Sequence, residues 1–441
     1  MRFFLALYLG KLCAALIRLV ARGRGTNLPG ELALKIDPRF VAHIRGIDPE
    51  KAVFVTGTNG KSTSTNLIHH ILTHAGWTVC ANLGGANLIS GVATALIGDC
   101  SLGGRLRTQA VVMETDERYL KFIRQQLPAK YVCVTNIQKD QVQRNGEPSF
   151  IRAKIEEVLD GTVTLMANRD DPNVYALGDL AGRSVSYGVE ANSKSYRKED
   201  DFFAVGMPCP RCHNPLEFRC HNIENIGPFR CPVCGFGAEA GADYQVTDVD
   251  FDAGRFTANG REYPFHFSTP YFLYCYILAI SVASELGLSG EQIAAALEDF
   301  SDIHGRLVTR TLAGKDLHYI KMKQENSETL QSSLNLAAED REEKIFLLGL
   351  DEYLDFYPPL ANTLCLFDCD FRGLLDSGVS KWITMSTALG RTAALRLRYD
   401  GFAEKDLIVL PDSNEATMAV ALGPLPGRKA YLVEEVPFWK R

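Results

Sequence analysis

Val53-Phe54-Val55-Thr56 runs straight into Gly57-Thr58-Asn59-Gly60-Lys61-Ser62-Thr63, so an apolar strand-like segment breaks into a turn bracketed by two glycines. This is the pattern of a phosphate-binding loop. Two glycines let successive backbone N–H groups point at phosphate oxygens, Lys61 adds a mobile positive charge, and the Ser62 hydroxyl can complete a Mg²⁺ shell. Leu67, Ile68, Ile71, Leu72 and Ala75 then recur at helical spacing between Asn66 and Gly76, which places the loop at a helix N-terminus. Val55 stands where the usual Walker pattern has a glycine.

The chain has 441 residues, 46% of them hydrophobic, enough for two or three domains with cores of their own. A net charge of -6 without a long basic run argues against a nucleic-acid binder, because such affinity rests on clustered Lys and Arg. Phe3 to Val20 is apolar, but Lys11 and Arg18 interrupt it and no small-residue cleavage site follows. These two cations are seven apart and share one helix face, so the segment reads as an amphipathic helix packed on the domain; peripheral contact with the inner face of a membrane is the alternative. Of the 12 cysteines, five fall between Cys209 and Cys234, and the rest are scattered in apolar contexts that suit reduced thiols in the cytoplasm.

From Lys51 to about Phe203, apolar runs alternate with amphipathic segments: Ala52 to Thr56, Ala110 to Glu114, Tyr131 to Thr135 and Val163 to Ala167 read as buried parallel strands. Residues 1–50 form an N-terminal helix and lead-in, and 51–206 the first part of a central ATP-binding domain. Residues 207–241, rich in Cys, Pro, Gly and Asn, read as an insertion; 242–302 return to the central domain through helices at Phe272 to Leu286 and Glu291 to Phe300. A smaller α/β domain fills 303–441, with strands at Lys344 to Leu348, Thr363 to Phe367, Trp382 to Met385 and Asp406 to Val409 and a helix at Glu328 to Glu339. Within the insertion, Cys209-Pro210-Arg211-Cys212 and Cys231-Pro232-Val233-Cys234 are two knuckles 18 residues apart, and four such thiolates make a tetrahedral Zn²⁺ site. A redox motif would occur once, without a matched knuckle. Cys220 and His213 are further donors that a closed four-sulfur site does not need. So short an insert cannot build its own core, which makes the metal structural.

Beyond the loop, Glu114 ends an apolar strand within Val111-Val112-Met113-Glu114-Thr115-Asp116-Glu117, where a carboxylate can hold Mg²⁺ beside phosphates. Thr135-Asn136-Ile137-Gln138-Lys139-Asp140 follows the next strand and Asn168-Arg169-Asp170-Asp171-Pro172 the one after. Together, in this order, the four segments resemble the Mur ligase superfamily, most of all its ligase-like subunits that work with a separate glutamine amidotransferase (GatD-like) on lipid II. Arg22 to Gly30, Asp140-Gln141 and the four-cysteine insertion carry that narrower likeness. The resemblance implies an α/β fold: a Mur-ligase-type central ATPase domain with an inserted four-cysteine zinc ribbon, plus a C-terminal Rossmann-like α/β domain.

It also implies roles. Gly57, Thr58, Asn59, Gly60, Lys61, Ser62 and Thr63 would bind the ATP phosphates, with Ser62 and Glu114 on Mg²⁺. Asn136 would line the same pocket, and Asn168 and Asp171 would sit near the nucleoside. Lys154 matches the position of a carbamylated lysine in many relatives, or is an ordinary helix-surface lysine. Arg306 would steady the transferring phosphoryl group. Asp351, Asp355, Asp368 and Asp370 would dock the partner; each also fits an ordinary strand end or cap. The implied reaction is activation of a carboxylate, D-glutamate of a lipid-linked peptidoglycan precursor, as acyl phosphate, followed by amidation with ammonia. A nucleotide-binding scaffold without turnover and an ATP-dependent amino-acid ligase are the competing readings. Three departures from the family stand out: Pro270 to Tyr276 where relatives carry paired asparagines, Val308 where an acid follows Gly305-Arg306, and Lys323-Gln324-Glu325-Asn326-Ser327 where a proline-rich turn is usual.

Overall fold

The computed structural model describes residues 1–20, 27–197, 207–237, 241–267, 269–300, 307–323, 325–350, 363–385 and 389–434. Arg306, Asp351 and Asp355, part of the Arg22 to Gly30 segment and the 301–306 linker lie outside them. The described residues form two compact units, the first drawn from Met1–Gln138, Glu147–Lys198 and Gly206–Ser301, the second from Lys139–Gly146 and Asp302–Arg441.

Helices α1 (Arg2–Val20) and α2 (Leu28–Ile36) lead the first unit into β1 (Ala52–Thr56), α3 (Lys61–His74), β2 (Val79–Ala81), α4 (Ile89–Asp99) and β3 (Ala110–Glu114). Then come α5 (Leu120–Gln126), β4 (Tyr131–Val134), α6 (Val142–Asn145), which falls in the segment belonging to the second unit, and, back in the first, α7 (Pro148–Glu156), β5 (Thr164–Asn168), α8 (Pro172–Tyr175) and β6 (Arg183–Val189). A small ribbon with β7 (Glu217–Phe218) and β8 (Phe229–Arg230) precedes β9 (Tyr244–Asp250), β10 (Arg255–Ala258), β11 (Arg261–Pro264), α9 (Pro270–Glu285) and α10 (Gly290–Glu298). One nine-stranded sheet runs β11-β10-β9-β6-β5-β4-β1-β3-β2. It is parallel from β2 to β9, and β10 and β11 add an antiparallel edge. Every residue of β1, β3, β4 and β5 is buried, as a parallel sheet covered on both faces requires. Its strand order reverses beside β1, and in such sheets ligands bind off the carboxyl ends of the strands at that point.

The second unit holds β12 (Leu307–Leu312), β13 (Lys315–Lys321), α11 (Ser327–Glu339), β14 (Lys344–Gly349), α12 (Leu364–Phe367), β15 (Val379–Met385), α13 (Leu389–Tyr399), β16 (Leu407–Leu410), α14 (Glu415–Leu422) and β17 (Lys429–Glu434). Its sheet order is β12-β13-β17-β14-β15-β16, with only the β12–β13 pair antiparallel. Alternate residues of β14 build two cores, Phe346 and Leu348 with Leu330, Leu334 and Trp382, and Ile345 and Leu347 with Met418 and Leu422. Thr363 to Phe367, expected as a strand, is the site of α12 instead. Cys365 and Leu366 are buried while Leu364 and Phe367 are exposed, a helical repeat rather than strand alternation.

Candidate active site and metal centre

The loop after β1 is shaped by residues that follow β4. Thr58 N donates to Asn136 O (2.8 Å), Asn59 N to Asn136 Oδ1 (2.9 Å), and Asn136 Nδ2 returns a bond to Asn59 O (3.1 Å). Gln138 N donates to Thr58 Oγ1 (3.0 Å). Gly57 sits at φ +120°, and a Cβ there would stand 2.3 Å from Thr135 Oγ1 and 2.9 Å from both Thr135 N and Asn136 O. Gly60, at φ +86°, turns the chain into α3. Both glycines are therefore required by the turn.

Lys61 and Ser62 each meet a carboxylate at the end of β3. Lys61 Nζ donates to Glu117 Oε1 (2.8 Å) and to the Gly57 carbonyl; Ser62 Oγ donates to Glu114 Oε2 (2.7 Å). Glu114 is only 4% exposed, and Asn82 grips its backbone from both sides while Asn87 Nδ2 approaches Oε1 at 3.4 Å. A hydroxyl and a fixed carboxylate beside a helix N-terminus are the donor set that Mg²⁺ takes next to phosphate. Burial works to raise the neighbouring Asp116 carboxyl, but its bidentate pairing with Arg118 holds it below the usual range.

Asn168 and Asp171 are fully buried. Asn168 Nδ2 donates to Thr135 O (2.9 Å), and Asp171 accepts from Ile137 N (2.7 Å), Gln138 Nε2 (3.0 Å), Asn173 N (2.9 Å) and Val174 N (3.4 Å) while capping α8. They brace the segment that shapes the loop. Burial pushes Asp171 up to about 6 against those donors. Lys154 lies on the half-exposed face of α7, paired with Glu157 (2.7 Å) and over the Phe150 ring.

The four cysteine sulfurs Cys209, Cys212, Cys231 and Cys234 lie within 4.8 Å of one another. Cys209 to Cys234 is 3.7 Å and Cys212 to Cys231 is 3.4 Å. Tetrahedral Zn–S bonds of about 2.3 Å set sulfurs about 3.8 Å apart, so the cluster fits a metal ion of that type. Cys220 and His213 do not belong to it. Cys209, Cys231, Leu216, Phe229 and Phe236 form a small core against Ala176, and Tyr175 stacks on Phe236.

Sequence reasoning attached no role to the loop that joins the ribbon strands. Asn222 Nδ2 donates to Val189 O (2.8 Å) and Tyr274 Oη (3.0 Å), Tyr274 Oη to Asp170 Oδ2 (2.9 Å), and Gly227 N to Asp170 O (3.0 Å). Ile223 and Ile226 thereby wall a small cavity against Asn59 and Gly60, with Tyr271 and Cys275 of α9 opposite. Glu117 was also missed as the partner of Lys61; its only signal was its place three residues beyond Glu114.

Within the second unit, Asp140 accepts from Lys323 Nζ (2.6 Å), Asn326 Nδ2 (3.1 Å) and Asn145 Nδ2 (3.1 Å), and Gln141 N donates to Glu325 O (3.3 Å). Gln141 and Glu325 both hold positive φ, 44° and 46°, a conformation that persists where surrounding bonds enforce it. Asp368 pairs with Lys139 (3.1 Å). Burial works to raise Asp370, but its twofold bond to Arg372 holds it low, and its Oδ1 accepts the Arg372 N–H.

A family model described as the Mur ligase middle domain matches residues 55–206. The MurT subunit of the glutamine-hydrolysing lipid II isoglutaminyl synthase of Staphylococcus aureus (strain COL) is 28% identical over 95% of this chain and 92% of its own length. The corresponding subunit of Streptococcus pneumoniae is 26% identical over 87% of this chain and 84% of its own. The solved structure of a pseudomurein peptide ligase type C from Methanothermus fervidus shares the fold, with a TM-score of 0.69 at 17% identity over 90% of this chain and 78% of that one. With the strand, glycine turn, Lys61 and the Ser62–Glu114 pair inside the matched segment, residues 55–206 are a Mur ligase middle domain in a chain of Mur-ligase-type α/β fold.

Proposed function

We propose that this chain activates a carboxylate with ATP and amidates it, as the ligase-like subunit of a lipid II isoglutaminyl synthase. The carrying observation is the Lys61–Ser62–Glu114 constellation on a chain that matches MurT along 95% of its length. The substrate is the α-carboxylate of D-glutamate in the lipid-linked peptidoglycan precursor. One carboxylate oxygen attacks the γ-phosphorus of ATP and ADP leaves; the ammonia lone pair then attacks the acyl carbon, phosphate leaves and nitrogen loses a proton. The loop amides and Lys61 hold the phosphates and neutralise charge that builds on them, which is most of what phosphoryl transfer asks of a protein. Ser62 and Glu114 would hold Mg²⁺, which supplies further neutralisation when bound. The four cysteines hold structural Zn²⁺. Arg306 steadies the phosphoryl group, and a GatD-like glutamine amidotransferase supplies ammonia, docking through the aspartates Asp351, Asp355, Asp368 and Asp370. Residues 51–206 and 242–302 are the ATP-binding domain, 207–241 its insertion and 303–441 the ligase-type domain.

The test is reconstitution with lipid II, ATP, glutamine and a GatD-like glutamine amidotransferase, with the amide product read by mass spectrometry. Lys61→Ala should abolish product and ADP release while leaving the circular dichroism spectrum unchanged. Nucleotide binding without turnover on any acceptor would make the chain a scaffold, and turnover that requires an amino acid instead of ammonia would make it a ligase of another class.

A further inference from the structure

Helix α1 has two apolar faces, and among the described residues only one of them is covered. Ala6 and Leu7 are fully buried in the core that also holds Ala33, Phe40 and Ile97, and Gly10 lies so close that a Cβ would stand 2.8 Å from Ile97 Cδ1. On the other side Met1, Phe4, Leu5, Tyr8, Leu9, Leu12, Leu16 and Leu19 are exposed, eight of the 23 large exposed hydrophobic residues among those described, seven of them from one helix of 19 residues and Met1 just before it. At about 100° per residue these eight fall in one uninterrupted arc of about 140°, running the full helix length of about 28 Å. The basic residues stand at the arc's two edges, Lys11 and Arg18 at one and Arg2 at the other. Lys11 Nζ is bound to Ile97 O (2.7 Å), and Arg2 and Arg18 are exposed.

Charge says what covers this face. The first acidic residue in the sequence is Glu31; before it come Arg2, Lys11, Arg18, Arg22 and Arg24, in a chain whose net charge is -6. At the N-terminal end of α1, Arg45 borders the same surface as Met1, Arg2 and Phe4, and exposed Arg105 bridges to it. The one carboxylate there, Asp37, is buried and bonded to His43 (2.7 Å). A second copy of the chain packing on this face by a two-fold axis would bring these cations against one another. An apolar arc edged by cations and free of acids matches an anionic lipid surface, with Leu and Phe in the acyl boundary and arginines at the phosphates. No helix among the described residues is long and apolar enough to cross a membrane.

We propose that α1 is an interfacial docking helix that seats the chain on an anionic phospholipid bilayer through the Leu5, Leu12, Leu16 and Leu19 face. The inference stands apart from the amidation chemistry. Flotation of the full chain with vesicles of phosphatidylcholine alone, or with added phosphatidylglycerol, tests it. Expected is binding to the anionic vesicles that weakens about tenfold at high salt, as screened charge predicts. Leu12→Glu with Leu16→Glu should abolish it, with ATP binding and the unfolding temperature unchanged because both side chains are exposed. Arg2→Gln with Arg18→Gln, which leaves the apolar face whole, should remove the salt dependence. Equal binding to neutral vesicles, binding by the double glutamate variant, or a dimer in sedimentation that the same variant dissolves without any vesicle binding would each overturn the proposal.

Discussion

Replacing Gly57 by alanine tests whether the phosphate loop is held by its fit against the end of β4. At φ +120° a side chain meets its own backbone, which costs about 1–2 kcal/mol. The new methyl would also stand 2.3 Å from Thr135 Oγ1 and 2.9 Å from Thr135 N and Asn136 O, and overpacking of this kind costs about 1–3 kcal/mol. Gly57→Ala should therefore lose about 2–5 kcal/mol, either as lower stability or as a displaced loop. If the loop moves, the bond from Thr58 N to Asn136 O breaks and nucleotide affinity falls by about thirtyfold or more, the equivalent of about 2 kcal/mol. Gly85→Ala is the control: its φ is +73°, but the nearest atom to a Cβ is Ser62 Oγ at 4.0 Å, so only the backbone cost applies. Adding Thr135→Ala to Gly57→Ala should recover little, because two of the three close contacts are to backbone. Urea unfolding and titration with a fluorescent ATP analogue read both effects. Gly57→Ala indistinguishable from Gly85→Ala in both would refute the reasoning.

Two further outcomes follow from the same geometry. Metal analysis should find one zinc per chain; Cys231→Ser or chelation should make the ribbon cleavable by protease and, by loosening the Ile223–Ile226 wall beside Gly60, weaken nucleotide binding by about tenfold, or about 1.4 kcal/mol. Cleavage without any change in affinity would disconnect the ribbon from the nucleotide site. Asp171, raised to about 6 from an ordinary value of 3.8, binds its proton more tightly folded than unfolded, so its contribution is complete below the unfolded value and is lost as pH rises through about 6. That loss is on the order of 3 kcal/mol, and the slope of urea-unfolding free energy between pH 4 and 7 should flatten in Asp171→Asn. An unchanged slope would assign the titration to another group.

The central sheet was legible because its strands carry the signal themselves. Five-residue apolar runs at Ala52, Ala110 and Val163 are buried on both faces, so nothing but a strand flanked by helices suits them. The β12–β13 hairpin was not, for the opposite reason. Leu307–Leu312 and Lys315–Lys321 mix Thr, Arg, His and Asp with their apolar residues, and the turn between them is Ala313-Gly314 at φ 50° and 75° rather than the Asn-Gly that marks such turns in sequence. Thr363 to Phe367 failed on length: four apolar residues fit one helical turn as well as a short strand, and only which of them are buried decides.

Site residues divide the same way, by how local their signal is. Gly57 to Thr63 declare themselves within a dozen residues, whereas the partners that fix them are distant: Glu117 lies 56 residues from Lys61, and Lys323 lies 183 residues from Asp140. No periodicity reports such a pair. The ribbon shows the limit most clearly. Its knuckles state a metal site from spacing alone, and the sequence assigns the ribbon no purpose beyond holding itself together. Yet the segment between the knuckles carries Asn222, whose amide joins Val189 and Tyr274, and Tyr274 in turn donates to Asp170, so the ribbon loop is tied to β6, to α9 and to the turn after β5. Burial raises the Asp170 carboxyl, and the donors Val189 N and Tyr274 Oη offset that cost. Loss of a metal from the four cysteines would therefore free more than a hairpin: it would loosen the bonds that hold Ile223 and Ile226 beside Gly60, across the cavity from Tyr271 and Cys275.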